Sequence, residues 1–246
     1  MIKFSILLIN NNRSKAYLQN LIKNGFVPEH VIVLNDKNVI LVEHTANDKL
    51  ITQDTKQKFI RRLNDLDIDF DEKEHIMRTI KNHQLEHTII DTLDINSREV
   101  IDEIKKIKEQ YIVYSGPGGL ILREKILSLD KEFIHVHPGL LPRFRGSTTI
   151  YYSMLHDSTV GCSVIIFHKG IDEGPILYQN SYEIKDKNID FDYVLDPLVR
   201  AKTLIEFFKE GKIHIQEQDA SADVGTFYII HPFLKHKAIL EQMKIK

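Results

Sequence analysis

Short apolar runs, each long enough for one buried strand, alternate along this chain with stretches of helical period, and that alternation narrows the fold more than any other feature. Phe4 to Ile9 is the first run; Ser14 to Lys23 follows with Tyr17, Leu18, Leu21 and Ile22 at helical spacing, stopped by Gly25. Val31 to Leu34 and Val39 to Val42 read as short strands, Lys56 to Leu66 as a helix, and Asp71 to Leu85 as a charge-rich helical stretch. His87 to Ile90 reads as a brief strand. Asn96-Ser97-Arg98-Glu99 is a capping-box candidate for a helix with Val100, Ile101, Ile104 and Ile107 on one face. Strand Tyr111 to Tyr114, short helix Arg123 to Leu129 and strand Phe133 to Val136 continue the alternation. The pattern predicts an α/β fold: a Rossmann-like, mostly parallel sheet with helices on both faces. In such a sheet the loops after Tyr114, Val136 and Phe167 share the edge where ligands sit.

Past Asp172 the patterning changes. Leu177 to Ile184 alternates like an exposed strand, Phe191 to Lys209 is amphipathic helix, and Ile213 to Ile230 reads as a hairpin. Fewer than about 70 residues make a poor independent core, so the expected organisation is one domain over residues 1–185, with 186–246 as an extension packed on the same core. Phe227, Tyr228, Ile229 and Ile230 then cover that core, or make the contact of a homodimer.

Composition removes several classes of partner. Lys plus Arg number 33 against 35 Asp plus Glu, a formal charge of −2 with no basic stripe, which argues against nucleic acid. The N-terminal run is too short to span a bilayer, so no membrane partner is expected. Cys162, the single cysteine, sits in an apolar run as a buried, inert thiol, and a reducing cytoplasmic setting follows.

The polar equipment is concentrated in two places. His135-Val136-His137-Pro138-Gly139-Leu140-Leu141-Pro142 puts two histidines one residue apart at a strand end, with a turn that exposes an imidazole and two leucines that anchor the loop. Gly170-Ile171-Asp172-Glu173-Gly174-Pro175 adds a carboxylate in a Gly/Pro turn. A lone strand-end histidine is more often structural, and an Asp before a glycine is often only a turn former. Glu173 reads as solvated; Arg143 and Arg145 suit either a phosphate or a solvated loop. His156, His168, His214, His231 and His236 show no metal-ligand spacing, and no metal is expected. The loop Ser115-Gly116-Pro117-Gly118-Gly119 lets backbone approach a flat ligand but completes neither a P-loop nor a dinucleotide fingerprint.

The order strand, Gly-rich loop, short helix, His135 to Gly146, helix, strand, Gly170 to Ile176 resembles the folate-dependent formyltransferases, a family that includes glycinamide ribonucleotide, methionyl-tRNA and amino-sugar formyltransferases. The resemblance is specific from Tyr111 to Ile184. It implies 10-formyltetrahydrofolate as formyl donor and an active site of Asn, His and Asp in the family pattern Asn-x-His-Pro-Ser-Leu-Leu-Pro. His137 and Asp172 fall on the family's His and Asp, His135 on its Asn, and Gly139 on its Ser. The resemblance assigns the pterin to Gly116, Pro117, Gly118, Gly119, Leu120 and Ile121, and to His168, Lys169, Gly170 and Ile171. The added C-terminal residues are most like those of amino-sugar formyltransferases. A nucleotide-linked amino sugar is thus the implied acceptor, faced by Arg143, Arg145, Tyr151 and Tyr152, and the length and charge disfavour tRNA. The competing readings are a folate- or partner-binding relative without activity, and a formyltetrahydrofolate hydrolase.

Overall fold

The computed structural model describes residues 2–36, 58–119, 121–186, 189–219 and 225–244; Val39 to Val42 and Leu120 lie outside them. Pairing in the main sheet is mostly parallel, and helices complete an α/β fold. The chain divides into two compact units, Ile2–Arg61 with Asp69–Phe133, and Arg62–Ile68 with Ile134–Lys246.

In the unit that opens the chain, β1 (Phe4–Leu8) is buried throughout and leads into α1 (Asn12–Lys23). The Asn11 side chain caps α1 by accepting from Ser14 N, and Gly25 ends the turn at φ +81°. Ala16, Tyr17, Leu18 and Leu21 bury the apolar face of α1. β2 (Val31–Leu34) pairs parallel with β1.

Lys56 to Leu66 is not a helix where it is described. Ile60–Leu63 is a strand, β3, and a 3-10 turn at Asn64–Leu66 with left-handed Asp67 (φ 47°) reverses the chain into β4 (Ile68–Asp71). The Asn and Asp residues that favour turns override an apolar spacing that fits a helix. The helix expected from Asp71 is only α2 (Ile76–Asn82), because Asp71 closes β4 and its Oδ1 accepts from Phe59 N and Lys73 N at 3.1 and 3.0 Å. β5 (His87–Ile90) pairs with β2, and α3 (Arg98–Ile104) is capped by Ser97, whose hydroxyl accepts from Val100 N. With Ser97 as the cap, Glu99 stands one position too early to close a reciprocal box. β6 (Tyr111–Ser115) pairs parallel with β1, and α4 is the short Glu124–Leu127.

The second unit carries β7 (Glu132–His137) from Ile134 onward, β8 (Arg145–Gly146), α5 (Thr149–Asp157), β9 (Val160–Ile166) and β10 (Ile176–Tyr182). Here the pairing is antiparallel: β9 lies between β7 and β10, with His135 opposite Ile165 and His137 opposite Ser163. The loop after Phe167 therefore starts at the opposite end of β7 from the His137 turn, contrary to the shared edge expected from a parallel strand. Every residue of β9 is buried, and a strand covered on both faces reads as a continuous apolar run in either direction.

A π-helical turn at Phe191–Leu195 runs into α6 (Asp196–Glu210), which packs on β9 and β10. The span Ile213 to Ile230 forms no hairpin among the described residues. Gln216 bridges to Ile176, while β11 (Thr226–Phe227) pairs parallel with β8, so its two ends have different partners. A final helix, α7 (Pro232–Lys244), was not anticipated; its periodicity is blurred because Phe233 is 70% exposed. No described helix is long and apolar enough to cross a membrane.

Candidate active site

Strand periodicity sends His135 and His137 to one face of β7. His137 is buried, whereas His135 is half-buried and stacks on Phe167 with ring centroids 4.7 Å apart. Beyond the strand, Ser163 and Gln179 hold the turn. Ser163 Oγ donates to Gly139 O at 2.6 Å and accepts from Leu141 N at 3.0 Å, while Gln179 Nε2 donates to Leu141 O at 2.9 Å. Leu141 is buried against Ile165 and Ile176, as an anchoring leucine should be. From behind, Arg200 Nη1 on α6 donates to Val136 O at 2.7 Å.

The two nitrogens of His137 have different tasks. Nε2 lies 2.6 Å from Phe144 O, and because a carbonyl can only accept, Nε2 carries a proton. Nδ1 lies 3.3 Å from Asp172 Oδ2. Gly139 makes this arrangement possible: a Cβ there would stand 2.8 Å from Phe144 O and 3.0 Å from His137 Nε2. A serine at this position, as in the family pattern, would displace the carbonyl.

Asp172 adopts left-handed φ 54°, which Asp tolerates better than most residues. Its Oδ2 accepts from Gly146 N at 2.8 Å. Burial opposes its charge, but the hydrogen bond and charge of His137, the charge of His135 and the Gly146 N–H outweigh it and hold the carboxyl down at about 2. Asp172 is thus a fixed anion beside an imidazole. Sequence reasoning missed Gln218, whose Nε2 donates to Asp172 O and Gly174 O at 2.8 and 2.7 Å and whose Oε1 accepts from Arg145 Nη2 at 2.9 Å. Gln218 thereby fixes the strained Asp172 backbone. Nothing in a polar Gln-Glu-Gln-Asp stretch signals that use.

The structure brings together His135, His137 and Asp172, and ties Arg145 to them through Gln218. Arg143 is exposed and pairs with Asp157 at 3.1 Å. Tyr151 is buried, with its hydroxyl donating to Asp192 Oδ1 at 2.7 Å; burial and that carboxylate push its pKa up. Tyr152 donates to Tyr228 O at 3.3 Å and packs on Phe227. His168, Lys169 and Ile171 are exposed, with Gly170 half-buried between them. In the loop after β6, Arg13 donates to Gly116 O, Tyr114 OH to Pro117 O and Asn96 Nδ2 to Ile121 O, while Gly118 and Gly119 would each meet nothing within 4 Å if given a Cβ. Burial pushes the Cys162 thiol up to about 12, as expected for an inert cysteine.

The chain has an α/β fold with a carboxylate–imidazole pair at the end of an inner strand. A formyl transferase family model matches residues 70–193, half of the chain, and the chain belongs to this family. The methionyl-tRNA formyltransferase of Ehrlichia ruminantium (strain Gardel) is 39% identical over 89 residues, which cover 35% of this chain and 29% of that protein. The chain spans less than half the length of the curated relatives it matches. In fold it is similar to glycinamide ribonucleotide transformylase 1 from Symbiobacterium toebii, with a TM-score of 0.54 and 18% identity over 89% of this chain and 95% of that one. It is also similar to an N-formyltransferase from Helicobacter canadensis in complex with folinic acid and dTDP-3-aminofucose, with a TM-score of 0.54 and 17% identity over 100% of this chain and 81% of that one.

Proposed function

We propose that this chain is an N-formyltransferase that moves a formyl group from 10-formyltetrahydrofolate to the primary amine of a small acceptor, a nucleotide-linked amino sugar. The observation that carries the reading is His137 held between a carbonyl on Nε2 and an ionised Asp172 on Nδ1, with a ring nitrogen of His135 converging on the same point. The donor supplies an activated formyl carbon. The chain's own residues must then stabilise the oxygen that becomes negative, take a proton from the attacking amine and return one to the leaving nitrogen.

Ionised Asp172 either holds a proton on His137 or relays the amine's proton onward to the leaving nitrogen without keeping it. His135 is half-buried and donates an N–H from the open side, where the family's Asn would donate an amide. Gly146 N and Gln218 keep the carboxylate aimed while protons move. The donor-binding residues are those that the resemblance assigns: in one unit Gly118 has open space where a side chain would stand, in the other His168, Lys169 and Ile171 are exposed, and Leu120 is carried over on resemblance alone. Arg145, Arg143 and Tyr152 are the proposed acceptor side, whereas Tyr151 is buried with its hydroxyl on Asp192 and backs that side from within; the near-neutral charge favours a small acceptor over tRNA.

The test is calorimetric titration with a stable 10-formyltetrahydrofolate analogue, followed by assay of tetrahydrofolate release with and without nucleotide-linked amino sugars. Saturable binding, with release that requires the amine and is lost in Asp172→Asn, supports the reading. Release without any amine would make the chain a hydrolase, binding without release a non-catalytic module, and release only with methionyl-tRNA would overturn the small acceptor.

A further inference from the structure

The same three side chains have a second capacity that follows from histidine at position 135. One donor atom from each of His135, His137 and Asp172 lies within 4.8 Å of the others. We propose that these residues form a binding site for a divalent first-row transition metal, with Zn2+ as the reference ion. A tetrahedral zinc with bonds of about 2.0–2.1 Å spaces its ligand atoms about 3.4 Å apart. His137 Nδ1 and Asp172 Oδ2, at 3.3 Å, already have that spacing. His135, half-buried and stacked on Phe167, closes the remaining gap by turning its ring about the side-chain bonds.

The surroundings of these donors are those of a metal site. A metal-ligating histidine commonly donates its other N–H to a carbonyl or carboxylate, which fixes the tautomer and aims the lone pair. Here Nε2–H donates to Phe144 O at 2.6 Å, so Nδ1 is the nitrogen turned toward Asp172. The carboxylate is also oriented, by Gly146 N at 2.8 Å. The 3.3 Å between Nδ1 and Oδ2 leaves room for a metal ion bonded to both atoms. Two imidazoles and a carboxylate select zinc, iron, cobalt or nickel over magnesium or calcium, which prefer oxygen alone. Three protein ligands leave a fourth position open to water.

A bound metal takes the place on Nδ1 that a proton would otherwise occupy, and any proton there leaves to solvent. Metal and proton compete for one place, so the loaded site has neither His137 Nδ1 nor Asp172 free for proton transfer. That consequence alone rests on the formyl-transfer reading; the site itself does not.

Metal-stripped protein would be titrated with Zn2+ against a chromophoric chelator, in parallel with His135→Asn, and Co2+ would be added to each to read its visible absorption. One tight equivalent is expected in the wild type. Loss of even an outer-shell partner weakens metal sites roughly 10–100-fold, so loss of the His135 ligand should cost at least about 100-fold, with the intense Co2+ bands of a low-coordinate site disappearing. His135→Asn keeps a half-buried polar side chain, and circular dichroism confirms its fold. Asp172→Asn is a second variant with the same expected loss. Equal zinc affinity in wild type and His135→Asn would overturn the site, since every other histidine is common to both, as would wild-type protein that yields the metal to a weak chelator. Folate binding is read separately: zinc failure with folate bound refutes only the metal site, and the converse refutes only the transferase.

Discussion

Replacing Asp172 with Asn removes a charge while preserving shape, and the structure sets the size of the effect. The carboxyl titrates near 3.8 in an unconstrained chain and at about 2 here. At about 1.4 kcal/mol per pK unit, that depression corresponds to about 2 kcal/mol of stability. The side chain is 12% exposed, so solvent screening takes little from this figure. Because the folded pKa lies below the unfolded one, the unfolded chain binds the proton first as pH falls. The contribution is complete above about pH 5, declines as pH drops through the interval between the two values, and is gone below about pH 2. Urea unfolding of wild type and Asp172→Asn at several pH values isolates this group, since other carboxylates titrate in both. The expected stability difference is about 2 kcal/mol at pH 7, shrinking toward zero with acid. A difference under about 0.5 kcal/mol at pH 7, or one that does not change with pH, would refute the assignment of Asp172 as an ion held by His137.

Gly139→Ala places a methyl 2.8 Å from Phe144 O, so the loop must shift; a loss of about 1–3 kcal/mol in thermal or urea unfolding is expected, together with altered His137 imidazole NMR shifts. Gln218→Ala strips partners from Asp172 O, Gly174 O and the Arg145 guanidinium and should cost about 1–3 kcal/mol, with backbone shifts centred on Asp172. Gly118→Trp meets open space, so stability should stay within about 0.5 kcal/mol of wild type while calorimetry shows weaker binding of the folate analogue. A strongly destabilised Gly118→Trp, or one with unchanged folate binding, contradicts that placement.

What could be read from the sequence depended on whether the deciding interaction was local. β1, α1 and β2 were legible because a buried strand, an Asn cap and a terminating glycine act within a few residues of one another. β3 reads as helix because Phe59, Ile60 and Leu63 fit a helical period, yet Phe59 and Ile60 are 43% and 50% exposed; turn chemistry at Asn64 to Asp67 reverses the chain between buried Leu63 and buried Ile68. The direction of β9 could not be read from a run buried on both faces. Within the site, His137 and Asp172 were visible as residue types in characteristic turns. Gln218, Ser163 and Phe144 O were not, because each matters through a bond made by folding and carries no mark in its neighbours.

The pairing of β8 with β11 sets an order of events during synthesis. Gly146, whose N–H aims the Asp172 carboxylate, is held in register with Phe227, and Ser147 N donates to Phe227 O at 2.8 Å. Gln218, which fixes the backbone of Asp172, likewise follows that residue in the chain. A nascent chain that has released His137 and Asp172 from the ribosome therefore still lacks the strand that positions them. The carboxylate–imidazole pair is thus set in place by residues that follow it in the chain, so its geometry is completed only by contacts across sequence that emerge after it.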